Sequence, residues 1–240
     1  MDTLELGAKY AERLAVSLPL VRQRIHEAAA SAGRDPASVR LVAVTKGHPI
    51  EAVRAAMARG LSDFGENRVE ELEEKVRVMG VHRATWHMIG HVQSRKAPRA
   101  VQAADLIHSV DSVSLAERIS RAAGSGDRVV RILAQVNTSG EASKSGFQAE
   151  AAVEGVLRMA ALPNLKVEGL MTMAPLVDDE EVLASAFRRL RETLEVVRGR
   201  DPRVGPELSM GMTNDLEIAV RGGSTMVRIG TALFGERGTL

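Results

Sequence analysis

The sequence predicts an α/β fold, a single (β/α)8 barrel of the TIM type preceded by one extra N-terminal helix. Three observations carry that reading. Short apolar runs alternate with segments of helical periodicity, which implies a parallel sheet with helical crossovers. About eight such units occur, the number that closes a barrel. Several runs are apolar at successive positions, as strands are when helices cover one face and barrel side chains fill the other. A doubly wound open sheet is the alternative, and the lack of an obvious switch point weighs against it.

The extra helix comes first. Residues 1–34 hold one long amphipathic segment, about 4–31, with Leu4, Ala8, Ala11, Leu14, Leu18, Val21 and Ile25 at helical spacing. "GRDPASVR" then breaks it. The barrel is expected over residues 40–237. Its strand runs are LVAVT (41–45), LSDFG (61–65), TWHMIG (85–90), LIHSV (106–110), VVRILAQVN (129–137), LKVEGLMTM (165–173), ELSMG (207–211) and TMVRIG (225–230). Helical segments such as "IEAVRAAMARG" and "EEVLASAFRRLRETLEVVRGR" lie between them. No linker, low-complexity tract or internal repeat divides the chain, so residues 1–240 are read as one domain.

Composition narrows the function. The 240 residues carry a net charge of +1, so no bulk field favours nucleic acid or a membrane. One Trp, one Tyr and four Phe are too few to build stacking platforms for bases. The absence of Cys excludes disulfides, thiolate nucleophiles and Cys-ligated metal. Charges interrupt the N-terminal stretch every few residues, so neither a signal peptide nor a spanning helix is expected, and the cytoplasm is the expected compartment.

In a barrel, chemistry gathers where strands end. The residues at those ends are Lys46, Glu66 with Asn67, His91, Asp111, Asn137, Thr172 with Met173, Ser209, and Arg228 with Gly230 and Thr231. "LSMGMTND" and "VRIGTALFG" both place small residues before an expected helix start, a pattern that suits an anion and equally suits a plain tight turn. Lys46 ends a first strand across the mouth from those loops. On spacing alone it is either a solvated strand-end lysine or an amine placed for a Schiff base, which needs a neutral nitrogen. His87 and His91 are four apart, but the run reads as strand then turn and brings no carboxylate cluster, so no metal is expected. "NTSGEASKSGF" (137–147) reads as a polar loop in which Lys144 is solvated.

Eight blocks, in order, resemble a known family: "LVAVTKGHP", "FGENRVEE", "WHMIGHVQSRK", "IHSVDS", "VNTSGEASKSGF", "GLMTMAP", "LSMGMTNDLEIAV" and "GSTMVRIGTALFGER" are similar to the pyridoxal-phosphate homeostasis proteins. The likeness runs from about residue 40 to 237. It implies a barrel like the N-terminal domain of alanine racemase, with pyridoxal 5′-phosphate (PLP) held on Lys46 as a Schiff base. It places Ser209, Gly230 and Thr231 at the phosphate, Arg228 beside the pyridine nitrogen, and Asn67 and His91 near the ring. It implies a monomeric carrier of PLP in vitamin B6 balance, with apo PLP-dependent enzymes as partners and no established reaction.

A PLP-dependent racemase or decarboxylase of the same fold is the alternative. Racemase chemistry in this fold uses a second acid/base, a Tyr from an extra β domain and a partner subunit. No such domain is expected after Leu240, and the only Tyr is Tyr10 in the first helix. One acid/base is worth roughly 10²–10⁴-fold, so its lack weakens the enzyme reading. Arg228 beside the ring nitrogen weakens the ring as an electron sink, although racemases of the fold tolerate it. A Schiff-base aldolase for a sugar phosphate is a third reading.

Overall fold

The computed structural model describes residues 2–80, 83–141 and 145–236. Helix α1 (Thr3–Ser31) precedes β1 (Arg40–Val44), α2 (Ile50–Ala58), β2 (Asp63–Glu66), α3 (Val69–Met79) and β3 (Thr85–Met88). Then come α4 (Ala97–Ala103), β4 (Leu106–Val110), α5 (Val113–Gly124), β5 (Val130–Asn137), the two-residue β6 (Phe147–Gln148) and α6 (Ala149–Ala160). The chain continues through β7 (Leu165–Met171), α7 (Glu180–Arg200), β8 (Glu207–Ser209), α8 (Leu216–Arg221), β9 (Met226–Ile229) and α9 (Thr231–Phe234).

All pairings are parallel, in the order β4-β3-β2-β1-β9-β8-β7-β5, and β4 pairs with β5 to close the ring. Closure removes both edges and rules out the open-sheet alternative. Among the described residues, strand β6 pairs only with the end of β5 and stands outside the eight.

Alternation along each strand builds two cores. Leu41 and Ala43 of β1, Phe64 of β2 and Trp86 of β3 face the helices and join the large outer cluster. The inner faces supply a separate small cluster of Val42, Leu106, Leu133, Met171 and Met226. Beneath that plug the barrel floor is charged. Arg40 lies 3.8 Å from Asp63 and 3.5 Å from Glu207, and Arg131 lies 2.7 Å from Glu168.

Helix α1 buries Tyr10, Leu14, Leu18, Val21 and Ile25 against α2, α8 and α9. Leu4 and Ala8, expected on that stripe, are exposed, and Leu6 packs against the core in their place. Among the described residues no helix is long and apolar enough to cross a membrane.

The β5–β7 ladder shifts register after Ile132, and Gly169 absorbs the shift at φ +148°. A Cβ there would sit 2.0 Å from the Glu207 carbonyl oxygen of the next strand. Gly169→Ala is therefore expected to lower the unfolding free energy by about 2 kcal/mol or more, read as an earlier urea midpoint at an unchanged slope.

Candidate functional site

The strand order decides which mouth residues are neighbours. Strand β1 lies between β9 and β2, so Lys46, two residues past the end of β1, stands between Gly230–Thr231 on one side and Asn67 on the other. Lys46 is half-buried, whereas Asn67, His91 and Thr231 are exposed at the rim. Gly230 packs its backbone on β1: a Cβ there would meet the Val44 carbonyl oxygen at 3.3 Å. His91 turns to the next strand end, with its Nδ1 3.3 Å from Asp111 Oδ2. His87 is buried inside the barrel, so the two histidines do not converge.

The loops after β8 and β9 are joined to each other. The Arg228 N–H donates to the Gly211 carbonyl at 2.9 Å, and the Ala232 N–H reaches Thr213 Oγ1 at 3.4 Å. Arg24 of α1 clamps the first loop, donating to the Thr213 carbonyl and to Glu217. The expected helix starts are weaker than the sequence suggested. Helix α8 begins only at Leu216, and α9 is a single turn. A macrodipole needs aligned peptides, so neither short helix supplies a strong field to an anion here.

Arg228 is the buried cation of the site, 5% exposed. Its Nη1–H donates to Ser209 Oγ at 2.6 Å and its Nη2–H to the Thr172 carbonyl at 2.9 Å. Burial pushes the guanidinium down to about 10, and Asp215 works against that shift, so it stays charged at neutral pH. Burial in turn raises the Asp215 carboxyl, against the Met212 N–H and the charge of Arg228.

Behind Ser209 runs a chain that the sequence reading missed. Ser209 Oγ lies 2.9 Å from His108 Nδ1, His108 Nε2 lies 2.9 Å from His87 Nδ1, and His87 Nε2 lies 3.1 Å from Asp63 Oδ1. It crosses the apolar plug from mouth to floor. Burial drives the His108 imidazole well below its usual range, helped by His87, Arg228 and Arg40. Burial would raise Asp63, but hydrogen bonds from His87 and Ser62, with the charges of His87 and Arg40, carry it below the ordinary carboxylate range.

Glu66 does not face the mouth. Alternation turns it outward under the end of β1, where its Oε1 accepts from Thr45 Oγ1 at 2.5 Å and from Lys75 Nζ at 2.6 Å. Lys75 also donates to the Thr45 carbonyl at 2.7 Å, which anchors the residue before Lys46. Tyr10 lies on the far side of the same turn, with its hydroxyl 2.9 Å from His48 Nδ1. Lys144 falls outside the described residues.

The alanine racemase N-terminal domain family matches residues 16–238. The pyridoxal phosphate homeostasis protein of Pseudomonas aeruginosa is 43% identical over 225 residues, covering 93% of this chain and 96% of its own. The chain belongs to the pyridoxal phosphate homeostasis protein family. The Escherichia coli member of this family is 37% identical over 93% of this chain and 97% of its own. PipY of Synechococcus elongatus, solved with PLP bound, superposes with a TM-score of 0.78 at 36% identity, covering 90% of this chain and all of its own. An alanine racemase of Clostridium difficile shares the fold of this chain at a TM-score of 0.77 and 15% identity, over 95% of this chain and 58% of its own.

The Asp63 carboxyl titrates lower folded than unfolded. Its contribution is therefore present above the ordinary carboxylate range and is lost as the pH falls through that range to the depressed value. Asp63→Asn is expected to flatten the acid limb of stability by up to about one proton in slope, measured by urea unfolding at a series of acid pH values.

Proposed function

We propose that this protein holds pyridoxal 5′-phosphate at the barrel mouth, bonded to the Lys46 amine as a Schiff base, and serves as a carrier in the supply of that cofactor. The observation that carries the reading is the placement of a half-buried lysine beside the Gly230–Thr231 turn, in a mouth whose buried cation is Arg228. The donor set fits the group. Gly230 leaves open, close to the β1 backbone, the space that a Cβ would fill. The joined loops bring the Thr213 hydroxyl beside the first turn of α9, where a phosphate would sit. The name of the relatives and the PLP-bound PipY support the same reading.

Bound PLP supplies an aldehyde and an electron-withdrawing ring. The chain's own residues do the rest. Lys46 would provide the nitrogen that bonds to the aldehyde carbon. Arg228, fixed by Ser209 and Thr172, would present its positive charge to the ring nitrogen and disfavour a proton there. Gly230 and Thr231 would hold the phosphate, and Asn67 and His91, exposed at the rim, would lie toward the ring. Holding without turnover is favoured by Tyr10: its hydroxyl is committed to His48 and buried, so it is not placed to exchange a proton with a substrate. We read the carrier as a cytoplasmic, single-domain monomer that delivers PLP to apo-enzymes.

Protein mixed with PLP is expected to show the near-visible absorption of a lysine Schiff base. Lys46→Ala is expected to lose that band while leaving weaker, phosphate-held cofactor. An unchanged band in the variant would place the bond elsewhere.

A further inference from the structure

The polar chain through the barrel has no part in bonding a cofactor, yet it ends on the two side chains that meet at the mouth. Its donors and acceptors are countable. Asp63 at the floor is an ionised carboxylate and only accepts. The His87 Nε2 atom facing it at 3.1 Å therefore carries a proton. With that single proton on its ring, as at mildly alkaline pH, His87 shows a bare Nδ1 to His108, so His108 Nε2, 2.9 Å away, carries the next proton. A neutral His108 shows a bare Nδ1 to Ser209, and the single hydroxyl proton of Ser209 fills that 2.9 Å contact. Arg228 has no acceptor atom, so its Nη1–H takes a lone pair of Ser209 Oγ at 2.6 Å. The chain runs with one polarity from guanidinium to carboxylate, and every link donates in the same direction.

We propose that His87 and His108 are positioning residues that draw the Ser209 hydroxyl proton into the barrel, dedicating Ser209 to holding Arg228 and withholding its side chain from an anion at the mouth. The proposal rests on the reading of the mouth as a PLP site and refines it. Ser209 then acts on the cofactor through Arg228. The hydroxyls left at the two loops for a phosphate are Thr213, beside the Ala232 N–H, and Thr231. A carboxylate at the floor, across the apolar plug of the barrel, thereby sets a hydrogen-bond direction at the mouth. The reverse polarity requires either a protonated Asp63 or an additional proton on the imidazole pair, and Arg40 near the floor and Arg228 at the mouth both oppose added positive charge between them.

The test is nitrogen-15 NMR of the histidine side chains in the full-length protein at mildly alkaline pH, ligand-free, saturated with inorganic phosphate, and loaded with PLP. The expected result is that His87 and His108 are both neutral with the proton on Nε2, in all three samples. A His108 carrying its proton on Nδ1 in any sample would release the Ser209 hydroxyl toward the mouth and overturn the proposal. Uptake of neither phosphate nor PLP would defeat the cofactor reading alone, because the tautomers of the ligand-free protein still decide the present one.

Discussion

The guanidinium of Arg228 is the constraint around which the barrel interior is arranged. A buried cation is tolerated only when its N–H groups find acceptors and its charge finds compensation. Here Ser209 and the Thr172 carbonyl accept, and Asp215 supplies a carboxylate from the loop after β8. Satisfying Ser209 in turn requires a partner inside an otherwise apolar plug. That partner is His108, then His87, and the series ends at the floor, where Asp63 sits beside Arg40. Each buried polar group explains the next one.

A second set of polar contacts fixes the position of Lys46 from outside the barrel. Glu66 and Lys75 hold Thr45 by its side chain and its carbonyl, while Tyr10 of α1 holds His48. The turn that carries Lys46 is thus pinned on both sides by groups that never enter the mouth. The same α1 helix reaches the loop after β8 through Arg24, so one helix braces both ends of the proposed cofactor site. Pre-positioning of this kind lowers the ordering that binding must impose. The family likeness at 43% identity over most of the chain accords with this arrangement, and the alanine racemase likeness at 15% identity speaks to the fold.

Much of the architecture was legible because barrel strands announce themselves locally. "LVAVTK" shows an apolar run ended by a polar residue, and similar runs follow at regular spacing. What failed was information that depends on facing and on distance. Glu66 was read as a mouth residue because it ends a run, yet Phe64 in the outer core already fixes Glu66 on the outer face by the period of two. His108 sits in an apolar strand run with no local signal, since its partners lie on β3 and β8. The loop "LSMGMTND" was read as leading straight into a helix, whereas Asp215 accepts from the Met212 N–H and holds a longer turn before α8.

On the proposed function, one particular amine, at the end of the first strand, meets the aldehyde of the cofactor. Borohydride reduction of the PLP-loaded protein, followed by peptide mass spectrometry, tests it most directly. A pyridoxyl-phosphate adduct is expected on Lys46 and on no other lysine. An adduct on a different lysine, or none on a protein that has taken up the cofactor, would contradict it.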